Sequence, residues 1–334
     1  MEYIALKNIC KINMGQSPDS TSYNKEKYGI PFFQGNADFG ERFPITRVWC
    51  SSPIKIAKNE DILISVRAPI GAVNFAKEEC CIGRGLASLT LDTSKVSIEY
   101  IYWLLKAKNE ELNLKGTGST FKAISKKVLE DILVPDIELK KQNQCAEILD
   151  KTYNIIQKYR EELTDLDTLI KARFVELFCN KGYPIIKWND IFNTTTGKLD
   201  SNDAVEDGKY PFFTCAKEAS RIDDFAFDQE ALLLAGNNAA GKYDVKYYKG
   251  KFNAYQRTYV LSLKNDWSYQ LFRYQLEDKL VYLQQQSLGG LTKYLTMKIL
   301  ETLEFVVPPK IRQIEFENFV AQVDKSKLQK FSAA

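Results

Sequence analysis

Histidine is absent from the 334 residues. That absence excludes every mechanism that turns on imidazole, including the Ser-His-Asp triad, the Cys-His dyad and the histidine-ligated zinc site. Cysteine is sparse: Cys10, Cys50, Cys80, Cys81, Cys145, Cys179 and Cys215 make an odd seven without a CxxC pair. A small secreted domain would carry a denser, even framework. Met1-Glu2-Tyr3 opens without the apolar core of a signal segment, and no apolar run approaches the ~20 residues that cross a bilayer. The expectation is a soluble, reduced, cytoplasmic chain with no membrane contact. Charge of one sign is also lacking, since 46 basic against 43 acidic residues leave +3. Residues 1–135 carry +3 and residues 181–307 balance. Any anion-binding surface must therefore be a local stripe, and its binding should fall steeply with salt. What is present is an ordinary globular mixture, 45% hydrophobic and 27% charged, at a length that suits about two domains.

Short stretches recur along the chain. Pro31-Phe32-Phe33 returns as Pro211-Phe212-Phe213, and residues 62–71 (ILISVRAPIG) return as 232–241 (LLLAGNNAAG). Residues 118–135 resemble 290–308, and 135–151 resemble 309–325 at an offset of 174. Four weak pairs in one order, at nearly one spacing, predict a tandem duplication of about 170 residues. Strands are expected near 30–34, 61–66, 86–91, 210–214, 231–235 and 258–263, where β-branched, aromatic and aliphatic residues cluster between Gly and Pro. Helices are expected near 98–112, 125–131, 267–285 and 296–302. Each copy reads as a small α+β globule flowing into a helix.

Between the copies, Leu149, Ile156, Leu163, Ile170 and Leu177 recur every seven residues, the seam of a coiled coil. Asp136 can cap the start, and Asn180, Gly182 and Pro184 stop the pattern. A helix from 138 to 179 would be about 60 Å long. The charged Lys158, Arg160, Glu161, Glu162, Asp165 and Asp167 argue against its burial in a core. Its counterpart, with Ile311, Phe316, Phe319, Val320 and Val323 on one face, has room for about half that length.

No self-sufficient active site, metal cluster or cofactor loop is expected. Gly236 to Tyr243 (GNNAAGKY) imitates a phosphate loop, but Tyr243 stands where a magnesium-binding hydroxyl belongs, and residues 244–247 read as strand. Pro135-Asp136-Ile137-Glu138-Leu139-Lys140 spells a nuclease-like pattern whose carboxylates sit too close together at a helix start. What remains are basic and amide side chains in loops. The first copy offers Gln34, Asn36, Arg42, Arg67, Lys77, Arg84, Ser119, Thr120 and Lys122. The second offers Lys217, Asn237, Asn238, Lys242, Gln256, Arg257, Thr292 and Lys293. Arg and Lys can pair with guanine edges, Asn and Gln with adenine edges, and Ser, Thr and Lys with phosphates. Arg84, between Gly83 and Gly85, and Arg67, beside Ala68-Pro69, stand out among them. Two other classes remain: a nucleotide-dependent enzyme built on Gly236–Lys242, and a coiled-coil scaffold without DNA contacts.

Together these residues resemble the DNA-specificity subunit of type I restriction–modification systems. The resemblance is carried by Gly15-Gln16-Ser17-Pro18, Gly29-Ile30-Pro31-Phe32-Phe33, Asp61 to Arg67, Cys81-Ile82-Gly83-Arg84-Gly85, Gly118 to Pro135, and Ile148-Leu149-Asp150-Lys151. It implies two α/β target-recognition domains, at 1–135 and 181–307, each reading one half of a split duplex site. It also implies long helices, at 136–180 and 308–334, packed antiparallel as a coiled-coil spacer that docks two methyltransferase subunits, with restriction subunits on that assembly. S-adenosylmethionine, ATP and Mg²⁺ would then belong to the partners, and this chain would hold no cofactor and catalyse nothing. The short second helix departs from the family pattern. It leaves part of the seam for a methyltransferase subunit or, by self-association, a second copy.

Overall fold

The structure, a computed structural model, describes residues 2–118, 122–238, 241–290 and 292–333, with side chains as far as residue 329. Two compact units divide the chain, Met1–Gln157 and Lys158–Ala334. The boundary falls inside one continuous helix, Leu139–Phe178.

In the first unit a four-stranded sheet runs in the order Cys10–Met14, Leu86–Leu91, Ile62–Ser65, Val73–Phe75, all antiparallel. A second sheet runs Tyr23–Asn24, Trp49–Cys50, Ile30–Phe33, Cys80–Ile82, Ile56–Ala57. The period-two rule of a strand is plain at Ile62-Leu63-Ile64. Ile62 and Ile64 join the core under the helix Ile98–Ala107, with Ile101 and Leu105, whereas Leu63 joins Phe33, Ile82 and Leu86 on the other face. All of these are almost wholly buried, so each side chain contributes about 1.5–3 kcal/mol through lost apolar hydration.

The second unit repeats the plan with one difference. The strands that match the first unit's two larger sheets form one six-stranded sheet here, Phe192–Thr196, Thr258–Leu263, Phe227–Ala235, Val245–Ala254, Tyr210–Phe213, Ser220–Ile222. Leu232 and Leu234 face Trp188, Phe272 and Phe305, while Leu233 faces Phe213 and Phe252. Val245–Ala254 is one ten-residue strand. In the first unit its counterpart is split by residues 76–79 into Val73–Phe75 and Cys80–Ile82, which belong to separate sheets.

The junctions of globule and helix are duplicated as well. Gln142, buried, accepts from the Ser97 amide (2.9 Å) and donates to the Ile137 carbonyl (2.8 Å). Gln313, equally buried, accepts from the Ser268 amide (2.9 Å) and donates to the Pro308 carbonyl (2.8 Å). These pairs fix the true spacing of the repeat here at 171 positions. Pro135 and Pro309, which sequence similarity aligns at 174, are therefore not equivalent. Side-chain to backbone bonds, invisible to a comparison of letters, set the register.

The long helix meets two environments. In the second unit Ile170, Leu177 and Phe178 pack on Phe316, Val320 and Val323 of the helix Lys310–Ala333. Arg173 pairs with Glu315 (2.5 Å) and Asp167 with Lys327 (2.6 Å). As numbering rises along one helix it falls along the other, so the pair is antiparallel. Leu163 is half-buried. In the first unit's share of the helix, Leu149 is 42% and Ile156 44% exposed, and Ile148 and Ile155 lie open beside them. The heptad seam is thus covered at Ile170 and Leu177 and uncovered at Leu149 and Ile156, because the shorter helix lies against the later heptads. Here the helix is held by polar contacts and by Tyr153, which packs edge-on against Trp103. Asp150 accepts from Arg42 (2.8 Å) and from the Trp103 indole (2.9 Å), and Tyr153 donates to Glu41 (2.9 Å). Among the described residues no helix is long and apolar enough to cross a membrane.

Candidate nucleic-acid interface

At one end of the first unit, four loops are stitched together by backbone hydrogen bonds. Gly85 donates to the Gln34 carbonyl (3.1 Å), Val66 to Gly85 (2.9 Å), Ile124 to Val66 (2.9 Å) and Ala68 to Lys122 (3.0 Å). Arg67 and Ala123 form a bridge, and Ala123 pairs again with Thr117 to close a hairpin. These bonds bring Gln34, Arg67, Arg84 and Lys122 to one rim, all four exposed. The glycines around Arg84 are there for close approach rather than freedom of rotation. A Cβ on Gly85 would stand 2.5 Å from the Gln34 carbonyl oxygen, nearer than any carbon can sit. Ser17 completes this rim: its hydroxyl accepts from the Arg84 amide (3.2 Å) and from the Gln34 side chain (3.0 Å). Sequence reasoning noticed Ser17 only as part of a motif; its signal was the Gly-Gln-Ser-Pro turn. Beneath lies Tyr23, whose phenol burial pushes above its ordinary range, with Arg84 opposing the shift.

Asn36 sits half-buried in the turn Asn36–Asp38, two residues after Gln34. The Asp38 carboxylate holds that turn by accepting from the Gln34 amide (2.7 Å). Ser119 and Thr120 lie outside the described residues. Lys77 is exposed but lines a hollow with Arg42, Phe43 and Phe75, away from the loops that carry Arg84. Arg42 lies elsewhere in the first unit. Its guanidinium pairs with Asp150 and stacks 5.3 Å from the centres of the Phe75 and Tyr102 rings, securing the long helix.

The second unit builds its rim in part from matching bonds. Gly236 donates to the Arg257 carbonyl (2.8 Å), Leu295 donates to Gly236 (2.8 Å), and Thr258 to Tyr255 (2.8 Å). Asn237 and Asn238 pair with Tyr294 and Lys293 as a short ladder, and Leu288 bridges Tyr294 to close the hairpin. Asn237, Asn238, Lys242, Gln256, Arg257 and Lys293 converge there, with Thr292 exposed in the hairpin. Asn238 accepts from the Lys242 amide (3.3 Å), and Gln256 reaches Asp200 at 3.5 Å. Burial raises the Tyr259 phenol behind this rim despite the neighbouring Arg257, and its hydroxyl donates to the Leu295 carbonyl (3.1 Å). Lys217 stands apart, lining an open concavity of about 740 Å³ with Phe213, Tyr247 and Tyr248. The phosphate-loop imitation dissolves: Asn237–Asn238 is a strand, the next element after Lys242 is the strand Val245–Ala254, and a phosphate cradle requires a helix N-terminus there.

Twin globules of one plan, each with an exposed rim of cationic and amide side chains and each joined to a long helix, define a duplicated chain. The model for the type I restriction modification DNA specificity domain matches residues 1–165 and again 180–331, and the chain belongs to that family. It is 43% identical over 157 residues to the putative MjaX specificity subunit of Methanocaldococcus jannaschii, covering 47% of this chain and 37% of that one. To the EcoDI specificity subunit of Escherichia coli it is 36% identical over 149 residues, 42% of this chain and 32% of that. These matches thus span about a third of the relatives' own length. The fold is that of the type I restriction–modification S subunit from M. genitalium, with a TM-score of 0.64 at 15% identity over 99% of this chain and 91% of that.

Proposed function

We propose that this chain is the sequence-reading subunit of a type I restriction–modification assembly, each rim contacting one half of a bipartite duplex site in the cytoplasm. The observation that carries the reading is the duplicated rim: recurring backbone bonds present cationic and amide side chains twice on one polypeptide. Those are the groups that recognise base edges and phosphates. The near-neutral charge of the chain fits a protein whose DNA contacts are confined to such rims. Methylation and cleavage then fall to partners, two methyltransferase subunits and the restriction subunits. They bring S-adenosylmethionine, ATP and Mg²⁺, while a base flipped into the methyltransferase makes a pocket here unnecessary. The open seam at Ile148, Leu149, Ile155 and Ile156 suits a helical partner, a methyltransferase subunit or a second copy.

The test is an exchange of residues 1–135 for those of another family member, followed by mapping of methylated adenines. One half of the modified site should change and the other persist. Modification of an unsplit site, or turnover by this chain alone, would overturn the reading. Salt-insensitive association without sequence preference would instead identify a scaffold.

A further inference from the structure

Several backbone bonds recur in the two rims, and the equivalence they set sorts rim residues by role. Gly83 donates to the Phe33 carbonyl (2.8 Å) as Tyr255 donates to Phe213 (3.0 Å), so Arg84 and Gln256, one residue further on, are equivalent. Val66 bonds Gly85 and Ile124 as Gly236 bonds Arg257 and Leu295, which makes Arg67 the counterpart of Asn237. The hairpins Thr117–Ala123 and Leu288–Tyr294 close by reciprocal bonds, which makes Lys122 the counterpart of Lys293. Two of these positions therefore exchange arginine for an amide between the copies, while the third keeps lysine in both.

We infer that the exchanged positions read bases and the retained one grips phosphate. The first unit reads guanine through Arg67 and Arg84, and the second reads adenine through Asn237 and Gln256. Phosphates are the same along every duplex, so a group that contacts them can stay the same in two readers of different sequence. Base edges differ. The planar guanidinium matches guanine's O6 and N7, and a carboxamide matches adenine's N6 and N7. An arginine-to-amide exchange at both reading positions is the substitution expected of two readers with unlike targets on one frame. Among the described residues neither Arg67 nor Asn237 has a side-chain hydrogen bond or ion pair, so neither is committed within the protein. The inference rests on the DNA-reading function proposed above.

The experiment uses the complex recovered by a tag on the full chain. It selects from a random duplex library, sequences what is bound, and titrates a selected duplex between 50 and 200 mM salt. Arg67→Ala should erase a guanine preference in one half-site, roughly 10–100-fold against the other bases, with the second half unchanged. Arg67→Asn should move that position toward adenine. Asn237→Ala should erase an adenine preference in the other half. Lys122→Ala and Lys293→Ala should leave the selected sequence intact, weaken binding to every duplex alike and lower the log–log salt slope by about 1. Lys122→Arg should restore both affinity and slope. All these side chains are exposed or half-exposed, and unchanged thermal melts will show that each variant folds. The sorting is overturned if Arg67→Ala weakens all sequences equally, if Lys122→Ala removes a base preference, or if Asn237→Ala removes a guanine. An unmutated complex that selects no sequence would bring down the DNA-reading function itself and the sorting with it.

Discussion

A buried amide side chain is tolerated only when its hydrogen-bonding groups are met, and Gln142 and Gln313 meet theirs with backbone groups on both sides of a junction. Truncation to alanine strands the Ser97 or Ser268 amide, so Gln142→Ala and Gln313→Ala should each cost about 1–3 kcal/mol, read from urea unfolding. Leucine at either position should do no better, because it fills the volume but leaves the amide unpaired. The thiols offer a second check. Burial pushes Cys80 up to about 12 and Cys81 up to about 11, and the thiolate is the reactive form. Iodoacetamide at pH 8 should therefore modify exposed Cys145 and Cys179 well before Cys80 or Cys81, as peptide mass mapping will show. At this scale the sequence told least. Arg42 looked like any loop cation because its partner Asp150 lies 108 residues away. The twin glutamines escaped notice because their bonds go to main-chain atoms that leave no mark in the letters.

Among the elements, the long helix was the most legible. A seven-residue apolar repeat with flanking stop signals is a statistical signal over forty positions, and Leu139–Phe178 follows it closely. Which heptads are covered was not legible, since Leu149 and Ile170 occupy the same position of the repeat and differ only in what lies opposite. Stability should expose that difference. Ile170→Ala opens a cavity against Phe316 and Val320 and should cost about 2–5 kcal/mol, whereas Ile156→Ala, on the open stretch, should stay within about 0.5 kcal/mol. Equal losses at the two positions would mean that the free chain already covers the first stretch. Strands were located by their apolar clusters, but the grouping into sheets was not, because register depends on partners distant in sequence.

For the molecule as a whole, the duplication was visible early and the rims only in part. Gln34, Arg67, Arg84 and Lys122 come from loops up to 88 positions apart, and only the folded backbone gathers them. If the continuous helix sets the separation of the half-sites, seven residues inserted between Gln157 and Lys158 add about 10 Å. The modified site should then widen by about three base pairs at 3.4 Å each, measured by methylation mapping. An unaltered gap would remove the helix from that role. The same fold also exists here in two degrees of continuity. The ten-residue strand Val245–Ala254 runs unbroken through its sheet, while residues 76–79 sever the matching strand. Cooperative opening follows hydrogen-bonded continuity, so amide exchange should find Phe192–Thr196 and Tyr210–Phe213 released together, at one free energy. Cys10–Met14 and Ile30–Phe33 should let go in separate steps, a book that comes apart leaf by leaf beside one bound along its whole spine.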